Sequence, residues 1–151
     1  MSGAPPPGTS GVPDGPPELF DVDALLGEAR AAQLRAYAPY SGFRVGAALL
    51  TADGTVFRGA NIENAAFPAA ICAERVALPA ALMAGHDDLR ALAVVGDGDG
   101  PTPPCGLCRQ VLFEFAPALV VVSAGATGEA KRYVLGSDLL PDAFGPQRLR
   151  A

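Results

Sequence analysis

The chain has 151 residues, 50% of them hydrophobic, and 16 acidic against 11 basic side chains leave a formal charge of −5. That length holds one domain with a substantial core and is short for two. The negative field disfavours non-specific binding to nucleic acid or anionic membrane, and no apolar run approaches the ~18–20 residues of a membrane span.

Residues 1–17, MSGAPPPGTSGVPDGPP, are dominated by proline and glycine and carry neither a basic segment nor an apolar one. They read as a disordered tail rather than a secretory leader, and the folded domain is expected over residues 18–151. Apolar residues at helical spacing from Asp21 to Tyr37 predict a helix capped by Asp21 or Asp23 and closed by Pro39. Phe43–Leu50 and Thr55–Ala60 predict two strands, with Asp53-Gly54 as the hairpin turn between them. A second helix is expected from Cys72 to Ala84, kinked or broken at Pro79 and stopped by Gly85. Leu89–Val95 reads as a buried strand, Gly96–Pro104 as a loop and Cys105–Phe115 as a third helix ended by Pro117. Leu119–Ser123 and Arg132–Leu135 complete the strands, and an irregular or helical end begins at Leu139. Strands alternating with helices predict an α/β layered domain with a mixed sheet.

Three cysteines, one histidine and no tryptophan narrow the chemistry. An odd cysteine count argues against a disulfide framework and for a reducing, cytoplasmic setting. His86, between Gly85 and Asp87, reads as a surface residue at the helix stop. Two motifs remain: Cys72-Ala73-Glu74 and Pro104-Cys105-Gly106-Leu107-Cys108. The C-x-x-C spacing sets two sulfurs one helical turn apart, and all three cysteines fall at predicted helix starts, where the dipole favours thiolates. Taken alone, C-x-x-C is equally compatible with redox thiols or with buried cysteines. Three ligands with an open fourth position are the stoichiometry of a catalytic zinc, however, and Glu74 stands two residues from the first ligand as a proton carrier.

The pattern resembles the zinc deaminases, in which a His or Cys ligand precedes a non-ligating Glu and a P-C-x-x-C follows. Over roughly Leu25 to Leu149 the chain resembles the homotetrameric cytidine deaminases of nucleoside salvage. The segments that carry the likeness are YAPYSGFRVGAALL (37–50), GANIENAAFP (59–68), ICAERVA (71–77), PCGLCRQVLFEF (104–115) and LLPDAFGPQRL (139–149). The resemblance implies a three-layer α/β/α sandwich around a five-stranded mixed sheet. It implies one zinc per chain on Cys72, Cys105 and Cys108, with Glu74 as the proton shuttle. It implies Phe43 against the pyrimidine, Asn61 and Glu63 on the ribose, Ala73 in the substrate site, and Phe144 reaching into a neighbouring subunit's site. Arg75 and Arg109 are implied as donors to the ligating sulfurs, offsetting the −1 that three thiolates leave on a Zn²⁺.

By residue type alone these positions read differently: Phe43 as core, Asn61 and Glu63 as solvated polar residues, the two arginines as exposed helix charges. Phe67, Ala66 and Pro79 depart from the family pattern. The implied reaction is hydrolysis of cytidine or 2′-deoxycytidine to the uridine nucleoside and ammonia, with no redox or nucleotide cofactor, in a soluble homotetramer with shared sites. Blasticidin-type deaminases share the two cysteine motifs, but the Asn-Ile-Glu-Asn stretch favours a nucleoside enzyme. A polynucleotide deaminase conflicts with the acidic charge. A non-catalytic zinc-stabilised interaction module leaves Glu74 and that stretch without a role.

Overall fold

The computed structural model describes residues 20–149, so the segment 1–17 lies outside the described residues. Helix α1 (Val22–Gln33) is followed by strands β1 (Val45–Thr51) and β2 (Val56–Ala60), helix α2 (Ala73–Met83) and strand β3 (Leu89–Gly96). Helix α3 (Gly106–Phe115) and strands β4 (Val120–Ala124) and β5 (Lys131–Val134) complete the domain, ahead of a π turn at Leu135–Leu139 and a 3-10 turn at Pro146–Arg148.

The five strands form one mixed sheet in the order β2-β1-β3-β4-β5. Only β3 and β4 are parallel, joined by the α3 crossover; the other pairs are antiparallel. Strand residues alternate between two apolar clusters, as the pleat requires. Ala47, Leu49, Leu92, Val94 and Val121 pack with α2 residues Ala77 and Leu78 and with Leu112 of α3. Ala48, Ala91, Ala93, Val95 and Val122 pack against Leu25, Leu26 and Ala29 of α1. The result is the three-layer α/β/α arrangement with a five-stranded mixed sheet.

Helix α2 lies close to the sheet because Gly59 has no side chain. A Cβ there would stand 2.1 Å from the Ala73 carbonyl oxygen. This contact seats the first turn of α2, which carries Glu74, directly on β2.

Three local expectations change. Helix α1, capped by Asp21 through a 2.9 Å bond from the Ala24 amide, stops at Gln33 instead of Tyr37. The Tyr37 amide donates to the Asn61 carbonyl and its carbonyl accepts from the Glu63 amide, so pairing with residues 61–63 takes that backbone out of the helix. Strand β1 starts at Val45, leaving Phe43 in the preceding loop. Of the kink or break expected at Pro79, the break does not occur: α2 runs as one helix to Met83. Pro79 is exposed, and a proline on the outer face leaves the carbonyl it cannot bond to be solvated by water.

Candidate active site

Both cysteine motifs sit where the chain enters a helix. Cys72 is the N-cap of α2 and Cys105 the N-cap of α3, with Cys108 in the first turn of α3. Neither cap side chain bonds the helix amides. The helix dipole therefore favours anionic sulfur at both ends.

The three Sγ atoms lie within 4.8 Å of one another, and Cys72 and Cys105 are separated by 3.8 Å. A disulfide needs about 2.05 Å. Sulfurs at the vertices of a tetrahedron around zinc, with Zn–S about 2.3 Å, stand ~3.8 Å apart. Three free thiols with that spacing fit one zinc and do not form a disulfide. Hydrogen bonding with Cys108 and then with the Arg75 guanidinium outweighs partial burial and brings the Cys72 pKa down to about 5. The same Cys72 contact, with burial, pushes Cys108 up.

Glu74 is only 4% exposed, in the first turn of α2. Burial raises its pKa to about 7; the Cys72 thiolate adds to the rise, and hydrogen bonds from its own amide and from Cys108 oppose it. A carboxyl poised near neutrality can both accept and release a proton.

The two arginines diverge. Arg75 donates from Nη2 to Cys72 Sγ at 3.7 Å. Arg109 instead gives Nε to the Pro104 carbonyl at 2.7 Å and Nη1 to the Leu139 carbonyl at 2.9 Å. From the first turn of α3, its long side chain ties the ligand loop to the C-terminal π turn, where it was expected to meet sulfur.

Three backbone segments meet beside the thiols. Ile62 and Ile71 exchange two 3.0 Å backbone bonds, which places the Asn61–Glu63 segment against the residue preceding Cys72. Asn61 Oδ1 accepts from the Val45 amide at 2.8 Å, and its Nδ2 donates to the Phe43 carbonyl at 2.9 Å. Glu63 accepts from the Tyr40 and Ser41 amides and from the Ser41 hydroxyl, and that hydroxyl is the chief cause of its lowered pKa. Phe43 is 39% exposed and therefore not a core residue. Ala73 is fully buried, and Phe144 is 60% exposed with its carbonyl held by Gln110 Nε2 at 2.8 Å. His86 lies at the far end of the β1–β2 hairpin, half-buried against Phe57 and 3.5 Å from Asp53.

Sequence reasoning passed over Asp97, Gln33 and Ser41, which hold the Phe43 segment. No motif marks them; Asp97 lies in the run Gly96–Pro104, where composition signals only a loop. Gln110 was visible only as part of the Cys-Arg-Gln run.

A layered α/β/α domain with three thiols and a buried carboxyl at two helix N-termini defines a zinc-binding deaminase fold. A family model described as the cytidine and deoxycytidylate deaminase zinc-binding region matches residues 21–124, and the chain belongs to that family. It is 50% identical over 125 residues to a cytidine deaminase of Halalkalibacterium halodurans, covering 83% of this chain and 95% of the relative. A cytidine deaminase of Mycobacterium tuberculosis is 44% identical over 126 residues, 83% of this chain and 90% of that protein. The crystal structure of the Burkholderia pseudomallei cytidine deaminase superposes with a TM-score of 0.79 at 50% identity, covering 83% of this chain and all of that one.

Proposed function

We propose that this chain is a zinc-dependent hydrolase of pyrimidine salvage that converts cytidine and 2′-deoxycytidine to uridine and 2′-deoxyuridine with release of ammonia. The observation that carries this reading is Glu74, a buried carboxyl with a pKa of about 7 set among three thiols that fit one zinc. Cys72, Cys105 and Cys108 hold the ion. When bound, zinc supplies Lewis-acid activation of water at neutral pH.

The chain's own residues handle protons and position. Glu74 holds a proton next to the cytosine ring and delivers it to N3, which makes C4 electrophilic. Water oxygen then bonds to C4 as one water proton passes to the Glu74 carboxylate. Glu74 next gives that proton to the exocyclic nitrogen, the C4–N4 bond breaks and ammonia leaves, and the C4 hydroxyl returns its proton to Glu74 as C4 becomes a carbonyl. Arg75, bonded to Cys72 Sγ, offsets thiolate charge. Arg109 acts one step away, through the backbone of the ligand loop.

Phe43 packs against the pyrimidine. Asn61, whose amide nitrogen donates only to the Phe43 carbonyl among the described residues, and Glu63 meet the ribose hydroxyls, and Ala73 lines the base pocket. Phe144 covers the site of a neighbouring subunit in a homotetramer. Support for that assembly comes from the exposure of Phe144, Phe67 and Leu149, large apolar side chains that a lone chain leaves in water. Residues 18–151 act as the catalytic domain, with 1–17 as a tail, in the cytoplasm; among the described residues no helix is long and apolar enough to cross a membrane. Ultraviolet-monitored turnover of cytidine, paired with zinc analysis, tests the reading. One zinc per chain and stoichiometric ammonia are expected; zinc-loaded protein that leaves both nucleosides unchanged overturns it.

A further inference from the structure

Phe43 lies outside the sheet, yet every backbone polar group of Phe43 and Arg44 is held by a side chain. The Phe43 amide donates to Ser41 Oγ at 3.0 Å and its carbonyl accepts from Asn61 Nδ2 at 2.9 Å. The Arg44 amide donates to Asp97 Oδ2 at 2.9 Å, and its carbonyl accepts from Gln33 Nε2 at 3.1 Å. Asp97 receives more: Arg44 Nε at 3.0 Å, Arg44 Nη2 at 3.3 Å and Gln33 Nε2 at 3.1 Å.

The Phe43 ring rests on the two glycines that flank Asp97. A Cβ on Gly96 would lie 3.0 Å from Phe43 Cζ and 2.5 Å from Thr102 Oγ1, and one on Gly98 would lie 3.3 Å from Phe43 Cε2. Loops are ordinarily the mobile parts of a fold. A partly exposed phenylalanine with both neighbouring peptides clamped and a recess shaped for its ring is a preorganised surface. The strand end that forms the recess also begins the loop leading to Pro104 and Cys105.

We infer that Asp97, with Gly96 and Gly98, is a positioning device that sets the height and orientation of the Phe43 ring for the pyrimidine of the substrate. Asp97 touches no substrate. It acts through Arg44 and the ring, on the reading of the site proposed above. Its effect therefore belongs in substrate affinity, while Glu74 and the thiols govern turnover.

Asp97→Asn removes the charged acceptor of three Arg44 contacts. We expect KM for cytidine to rise ~10-fold, as for the loss of one or more charge-assisted hydrogen bonds, with kcat within about twofold and zinc content unchanged. In a Phe43→Leu background the same substitution should add nothing to KM. An unchanged KM, or an equal rise in the Phe43→Leu background, overturns the inference. Gly98→Ala keeps every hydrogen bond and presses only on the ring, so it covers a failure of Asp97→Asn to fold; it should also change KM several-fold without changing kcat. Hydrogen exchange at the Phe43 and Arg44 amides separates this inference from the proposed activity. Faster exchange in Asp97→Asn is expected whatever the substrate, and unchanged exchange refutes the clamp even in an active enzyme. Wild-type protein inert toward cytidine counts against the proposed function alone.

Discussion

At the thiol end of the site, Cys72 stands two residues from Glu74 and Cys105 three from Cys108, and each pair rides the start of one helix. At the Phe43 edge, Ser41, Phe43, Asn61, Glu63 and Asp97 come from separate loops and strand ends and are fixed to one another mainly by side chain–backbone bonds. Helix geometry sets each pair within a single turn, and the packing of α2 and α3 brings the two pairs together. The Phe43 edge exists only after the sheet has formed, because β1 and β2 separate Phe43 from Asn61, and α2 and β3 separate Asn61 from Asp97, until the ladders register. On the function proposed above, the chemistry draws on pairs set by local structure and the affinity on contacts set by long-range structure, so substitutions at the two ends should fail in different ways.

The largest effect is expected at the thiol end. Glu74→Gln preserves shape and removes the base, so turnover should fall by at least the ~10²–10⁴ typical of a general acid–base residue, with zinc still bound. Metal analysis beside steady-state kinetics checks both halves. An active variant would move proton transfer to another group and weaken the division between the two ends.

The arginines sharpen the comparison because they are alike in sequence and unlike in contact. Arg75→Ala removes the donor to Cys72 Sγ, and zinc retention or activity should drop ~10–100-fold, read by competition with a chelator. Arg109→Ala leaves the sulfurs untouched and strips the Pro104 and Leu139 carbonyls of their donor. An unpaired, partly buried carbonyl costs about 1–3 kcal/mol, so the expected loss is in melting temperature. Equal zinc loss in both variants would show that Arg109 serves the metal after all.

The smallest effect lies away from both ends, at the β1–β2 hairpin. The Thr51 hydroxyl and then the Thr55 amide hold the Asp53 carboxyl down at about 2, from an ordinary 3.8. A depressed folded-state pKa contributes stability that is complete above 3.8 and fades as pH falls through about 2. Asp53→Asn should therefore melt below wild type at pH 7, with the gap closing between pH 4 and pH 2, and kcat/KM should not change. A gap that stays constant with pH would assign the loss to something other than the charge.

How much was legible follows the same division. The α/β layering, all five strands and the three helices can be read from periodicity and turn residues, since the signals that mark each one lie within the segment itself and its flanking turns. The helix-start placement of all three cysteines can be read likewise. Phe43 shows the opposite: FRVGAALL has the look of a strand from its first residue, yet Phe43 is held outside the ladder by Ser41, Asn61 and Asp97.

The early end of α1 has the same origin, because nothing between Leu34 and Tyr37 disfavours a helix and only the backbone of residues 61–63 withdraws it. Arg109 shows the limit from another side. Its position after Cys108 suggests a donor to sulfur, but the carbonyls it reaches, Pro104 and Leu139, include one 30 residues away. Amino-acid order by itself marked the Cys-Ala-Glu and C-x-x-C groups, since each depends on residue type and on spacing within one helical turn, while the meeting of Cys72 with Cys105 came from the packing of α2 and α3. Which residue holds which carbonyl, where the ring of Phe43 rests, and which arginine meets sulfur were decided by tertiary structure alone. Those contacts join segments that packing of the helices on the sheet brings together, and no local propensity encodes them.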